Sequence, residues 1–175
     1  MAELPREIYS VQQVREFDLA AIDRLDISGY ELMCRAGEAA MDALAARWPM
    51  HSELTVFCGA GNNAGDGYVL ARLAAGFGKQ VRTIAVTSPE KLTGAAVSAW
   101  EEFRSSGLSV EAFGSQTIPG SSVVADALLG TGLDRDLDGH YRDAVTSINS
   151  SGGPVLALDI PTGLNADSGL VMGTA

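Results

Sequence analysis

The sequence predicts an α/β protein, a three-layer α/β/α sandwich around a mostly parallel sheet. Three observations carry this. Short apolar runs alternate with helix-spaced segments along the whole chain, the pattern of a parallel sheet covered on both faces. Residues 54–67 form an apolar run, a loop half glycine and asparagine, and a helical pattern directly after it, the usual way to bring bare backbone N–H groups around a phosphate. Three of the apolar runs end in polar, glycine-containing loops, and in an open parallel sheet those ends share one edge.

The elements follow in order. Residues 10–26 read as an amphipathic helix: Ser10 and Gln13 form a capping box, and Val11, Val14, Leu19, Ile22 and Leu25 share a face, with Arg15 and Glu16 mostly off it. Ser28 and Glu31 offer a second capping box for a helix carrying Met33, Met41, Leu44 and Trp48 and stopped by Pro49. These two helices are expected to cover one side of the sheet or form a partner surface. After the loop at 61–67, residues 68–77 form a helix ended by Gly76 and Gly78, and 80–86 a strand. Ser88 and Pro89 start a helix running to about Ser105. Strands at 108–113, 121–129 and 154–160 flank a helix at 141–149, and 166–175 reads as a loop-like tail with nothing after it to pack.

With 175 residues, 46% of them apolar, the chain is expected to be one domain with a single sizeable core. No apolar run approaches the roughly 20 residues needed to cross a bilayer, and residues 1–7 lack the basic start and apolar block of a signal peptide. A soluble, cytoplasmic protein without a membrane partner is the expectation. Cys34 and Cys58 read as buried reduced thiols. The net charge of −10 argues against nucleic acid, which needs lysine and arginine clusters. It leaves room for a small phosphorylated ligand held by backbone N–H groups.

Gly59-Ala60-Gly61-Asn62-Asn63-Ala64 fits the G-x-G-x-x-A pattern, but that pattern wants an acid at the end of the next strand. That strand ends in Thr87-Ser88-Pro89, so an ordinary NAD site is not expected. Asn62, Asn63 and Asp66 exceed what a turn requires and can hold a ribose, a carboxamide or a cation. Asp126 sits inside an apolar strand, where a carboxylate is costly unless paired; it either caps a neighbouring loop or binds a cation. Asp159, at a strand end, either caps a helix or serves as a general acid or base. Asn63, Asp126 and Thr162 offer amide, carboxylate and hydroxyl oxygen, a set suited to a hard cation of low charge. His51 and His140 are isolated and no Gly-x-Ser-x-Gly elbow is present, so zinc and hydrolase readings are poor.

The three loops, 61–67, 126–133 and 159–169, resemble in order the signatures of NAD(P)H-hydrate epimerases, the YjeF N-terminal domain family, and Leu32-Met33-Cys34-Arg35-Ala36-Gly37 resembles its early helix. The likeness runs from about Val11 to Ala175. It implies a Rossmann-like domain that epimerises the R and S forms of hydrated NADH and NADPH (NADHX and NADPHX), a cofactor repair reaction. Carried over by position, Asn62, Asn63, Ala64, Gly65 and Asp66, with Gly130, Thr131, Gly132, Leu133, Asp134, Arg135 and Asp136, would hold phosphates and sugar. Asp159 would bind near the reacting ring as the acid/base, and Asn63, Asp126 and Thr162 would bind a potassium ion. Ala64 stands where the family more often has glycine. The family domain continues past Gly169, so residues 1–175 are expected to lack its last strands. In many bacteria an ADP- or ATP-dependent dehydratase follows as a fused functional partner, and a homodimer is compatible with the resemblance. The alternatives are a nucleotide-binding or protein-interaction module of the same fold without catalysis, which degraded motifs would mark, and a nicotinamide-dependent oxidoreductase.

Overall fold

The computed structural model describes residues 7–114 and 117–175. All but Glu7 of the N-terminal stretch that argues against a signal peptide lies outside the described residues. Five parallel strands form one sheet: β1 (Glu53–Cys58), β2 (Gln80–Ala85), β3 (Val110–Ala112), β4 (Val123–Ala127) and β5 (Val155–Ala157), in the order β3-β2-β1-β4-β5. The order reverses at β1, which pairs with β2 on one side and β4 on the other. The crevice beyond the C-terminal ends of β1 and β4 is therefore where an open sheet binds ligands.

The helices are α1 (Val11–Leu25), α2 (Gly29–Arg47), α3 (Asn62–Gly76), α4 (Ala95–Ser105) and α5 (Gly139–Asn149). Two cores result. On one sheet face α2, α3 and α4 pack Met33, Leu44, Tyr68, Leu70 and Phe103 against Leu54, Val56 and Ala125. On the other, α5 and the segment before it pack Leu133, Leu137, Ala144 and Ile148 against Phe57, Ile84 and Val124. The three-layer architecture follows from this alternation of strand faces. No helix among the described residues is long and apolar enough to cross a membrane.

The structure corrects the expected elements in three places. The glycine-rich segment is not a loop up to Gly67: α3 starts at Asn62. Gly65 and Gly67 serve packing instead. A Cβ on Gly65 would stand 2.5 Å from Met33 Sδ, and one on Gly67 2.5 Å from Ala127 Cβ, so α3 approaches α2 and β4 more closely than any larger residue allows. The long helix expected from Pro89 is a single 3₁₀ turn (Pro89–Lys91), and α4 begins only after Gly94, whose φ of 57° interrupts a helical run. The apolar face expected on α1 is not a core face, since no α1 residue is buried and Leu19 is 67% exposed. The tail is loop-like, as expected, and it packs on the rest of the chain. Leu164 and Val171 form an antiparallel bridge, Leu137 N–H donates to the Met172 carbonyl at 2.9 Å, and Asn149 Nδ2 donates to the Ala175 carbonyl. Strands β2 to β5 are also shorter than the runs that announce them.

Candidate functional site

The ends of β1, β4 and β5 open into one cleft of about 540 Å³. Its floor and walls are the first turn of α3, the turn after β4 and Asp159 after β5. The N-cap of α3 is Gly61, which has no side chain to satisfy the first-turn N–H groups. Those donors and the positive end of the helix dipole are left to face the cleft. Asn63 stands beside them, 8% exposed, with neither Oδ1 nor Nδ2 hydrogen-bonded among the described residues. A buried amide with both atoms unpaired is costly unless a ligand or ion completes it. The N–H groups of Gly130 and Gly132 likewise donate to no acceptor among the described residues.

Asp159 adopts φ 66°, one of two non-glycine residues at positive φ among those described. Its Oδ2 accepts the Thr131 N–H at 2.7 Å. The carboxylate lies so tightly over Gly130 that a Cβ there would overlap Oδ2, so glycine at 130 is a condition of Asp159 reaching Thr131. Backbone held in a sparsely populated region at a strand end is a recurring property of working sites. Asp66, half-buried on α3, is pushed up to about 7, first by burial and then by the charges of Asp159 and Asp18. Asp18 is raised by burial and by Asp159. Asp66, Asp159 and Ala36 also line a second, mainly apolar cavity of about 260 Å³, walled by Ala40 and Ala43 of α2 and by Leu156 and Leu158. The two carboxyls thus stand between a polar cradle and an apolar chamber.

Asp126 is 5% exposed and fully engaged. Oδ1 accepts the Leu128 N–H at 3.1 Å, Oδ2 the Thr162 N–H at 2.8 Å, and Thr162 Oγ1 lies 2.7 Å from Oδ1. Thr162 Oγ1 in turn accepts the Leu129 N–H at 3.0 Å, and its one hydroxyl proton goes to Asp126 or to the Leu129 carbonyl at 2.9 Å. This cross-link fastens the β5 loop to the end of β4. Burial raises the Asp126 pKa against these bonds, and no basic side chain pairs with it among the described residues. Capping and cation binding are therefore compatible roles.

The structure brings together Asn62, Asn63, Asp66, Gly130, Thr131, Gly132 and Asp159. Ala64 and Gly65 turn into the core, leaving only their backbone near the site. Leu133 is a core residue. Asp134, Arg135 and Asp136 are exposed away from the cleft walls, with Arg135 only 3.7 Å from Asp134. Asp126 and Thr162 contact each other, whereas Asn63 bonds to neither. Sequence reasoning missed Val14, Arg15 and Asp18, which α1 presents to the cleft. The α1 N-terminus is docked there by Val11 N–H, which donates to Asp167 Oδ1 at 2.8 Å, a contact across 156 residues that no local pattern announces.

Against known proteins, the family model described as YjeF-related protein N-terminus matches residues 29–175. The chain is 46% identical over 168 residues to the bifunctional NAD(P)H-hydrate repair enzyme Nnr of Coxiella burnetii, covering 96% of this chain and 34% of that protein. It is 38% identical over 167 residues to the NAD(P)H-hydrate epimerase of Bordetella pertussis, covering 95% and 71%. The chain thus spans about a third of the length of the bifunctional relatives. The crystal structure of yeast ynu0 superposes with a TM-score of 0.82 at 20% identity, covering 94% of this chain and 74% of that one, and shares its fold.

Proposed function

The chain belongs to the family of YjeF-related protein N-termini, and from that premise we propose that it is an NAD(P)H-hydrate epimerase, interconverting the R and S forms of NADHX and NADPHX. The observation that carries this reading is the Asp159 clamp. A carboxylate strained at positive φ and seated over Gly130 by the Thr131 N–H stands where a phosphate cradle meets an apolar chamber. The α3 N-terminus and the Gly130–Gly132 turn suit the phosphates; the alanine-walled chamber suits the nicotinamide-derived ring.

Inversion at the hydroxylated ring carbon needs its C–O bond to break and re-form on the opposite face. A proton delivered to the hydroxyl oxygen lets it leave as water, and the ring nitrogen's electron pair forms a C=N bond. Water then adds from the other face and returns a proton. Asp159 exchanges the proton at the oxygen. Asp66, held near neutrality beside it, is a reservoir from which that proton is replaced. No hydride moves and no second substrate is needed.

Potassium fits the oxygen set of Asn63, Asp126 and Thr162: one buried carboxylate without a cationic partner and an amide oxygen without any partner. When bound it would supply positive charge near the phosphates. A dehydratase acting on the S form is the functional companion this reaction calls for, and the reading carries a cytoplasmic location with it. The test is epimerisation of purified R-NADHX, followed by recovery of NADH with an S-specific dehydratase. Accelerated recovery is expected. A chain that binds the dinucleotide but leaves the rate unchanged would instead be a binding module.

A further inference from the structure

We infer that Arg15 on α1 is the phosphate-contacting cation of this cleft, closing over the turn at Gly130–Gly132 to take the pyrophosphate of a dinucleotide. The inference rests on the functional reading above for the identity of the substrate, but its geometry stands alone. α1 presents Val14, Arg15 and Asp18 to the cleft. The Arg15 guanidinium Nη2 lies 4.0 Å from where a Cβ of Gly132 would be, over backbone whose Gly130 and Gly132 N–H groups have no acceptor among the described residues. Two N–H groups below and a planar fork of donors above form a slot for a doubly charged, oxygen-rich group.

Charge makes the same point. The other ionisable residues lining the cleft are Asp18, Asp66 and Asp159. These carboxyls oppose the attraction of the backbone amides for a pyrophosphate, and Arg15 is the sole basic residue among those lining the cleft. Arg15 is also uncommitted: Arg35 and Arg82 pair with Glu31 and Glu111 at 2.8 and 2.6 Å, whereas Arg15 makes no ion pair among the described residues. Its helix is held in place one turn away, where the Val11 N–H donates to Asp167, so the guanidinium is carried by an anchored element. An exposed arginine with no partner among the described residues, above free amides, is poorly explained by stability.

The experiment is titration calorimetry of ADP-ribose, which keeps the pyrophosphate and lacks the nicotinamide ring, into the wild-type chain, Arg15→Ala and Arg15→Gln. NADHX epimerisation is run in parallel. Arg15 has no partner to lose among the described residues, so both variants are expected to match the wild-type circular dichroism melt. Loss of a charge-assisted contact is expected to weaken ADP-ribose binding about ten- to hundredfold in both variants. KM for NADHX should rise with kcat within about threefold, the pattern of a binding contact. Unchanged ADP-ribose affinity in the variants, or no binding by the wild-type chain, overturns the role of Arg15. The two readings separate cleanly. Arg15-dependent binding without epimerisation removes the epimerase reading and keeps Arg15, whereas epimerisation with an unchanged KM in Arg15→Ala does the reverse.

Discussion

Asp66→Asn should make the protein more stable in alkali and worse at its chemistry. The carboxyl titrates at about 7 in the folded protein against 3.8 as its ordinary value, first because of burial and then because Asp159 and Asp18 lie near. A group whose folded value is raised gives stability fully present below 3.8 and lost as pH rises through about 7. From pH 5 to about 7 lie roughly two pH units, each worth about 1.36 kcal/mol, so wild type should lose up to about 2.7 kcal/mol that an amide does not lose. Solvent reaching the half-buried group trims this to about 1–2 kcal/mol. Urea unfolding of both proteins at pH 5 and pH 8.5 reads the difference, and the other carboxyls largely cancel in it. The stability gap should widen in favour of Asp66→Asn as pH rises. A gap constant across that range would refute the raised carboxyl and with it the proton reservoir.

Asp159→Asn should abolish epimerisation of R-NADHX while leaving ligand affinity within about tenfold, because the amide keeps the shape but not the proton exchange; an active variant would remove the acid/base role. Replacing potassium by tetramethylammonium at equal ionic strength should lower both the melting temperature and the rate if Asn63, Asp126 and Thr162 hold the ion, whereas identical melts and rates in the two salts would exclude it. Gly67→Ala should destabilise by a net of about 1–2 kcal/mol in urea, since overpacking against Ala127 Cβ, 2.5 Å away, outweighs the helix propensity that alanine adds. A more stable Gly67→Ala would mean that the contact relaxes freely.

Much of this architecture is legible in the sequence because its signals are local. The capping box at Ser10 and Gln13 starts α1 in the structure as the pattern says, and Ser28 accepts the Glu31 N–H at the start of α2. The strand positions follow from apolar runs, and the convergence of three loops follows from parallel topology alone. What failed was non-local. Gly65 and Gly67 read as loop residues because glycine's usual local meaning is a turn; their work is done against Met33 and Ala127, distant in sequence. Helical spacing put the apolar residues of α1 on one face and left open whether that face covers the sheet or meets a partner, because a period cannot say what lies opposite. The same spacing left Arg15 on the solvent side and hid its place in the cleft. Asp134, Arg135 and Asp136 were carried along with their motif, although the turn that brings Gly130–Gly132 to the cleft leaves these three outside it.

The bond from Val11 to Asp167 bears on how the site comes into being during synthesis. It joins positions 156 residues apart, so the N-terminus of α1 cannot be anchored until almost all the described chain has emerged. The backbone amides at α3 and at Gly130–Gly132 exist much earlier than Asp159 and the Asp167 anchor do. A nascent chain therefore acquires the backbone amides of its cleft before it acquires the carboxylate of Asp159. Closure of so long a loop is intrinsically slow. Among the described residues, the contact that anchors α1 over this cleft is thus one of the latest to become possible.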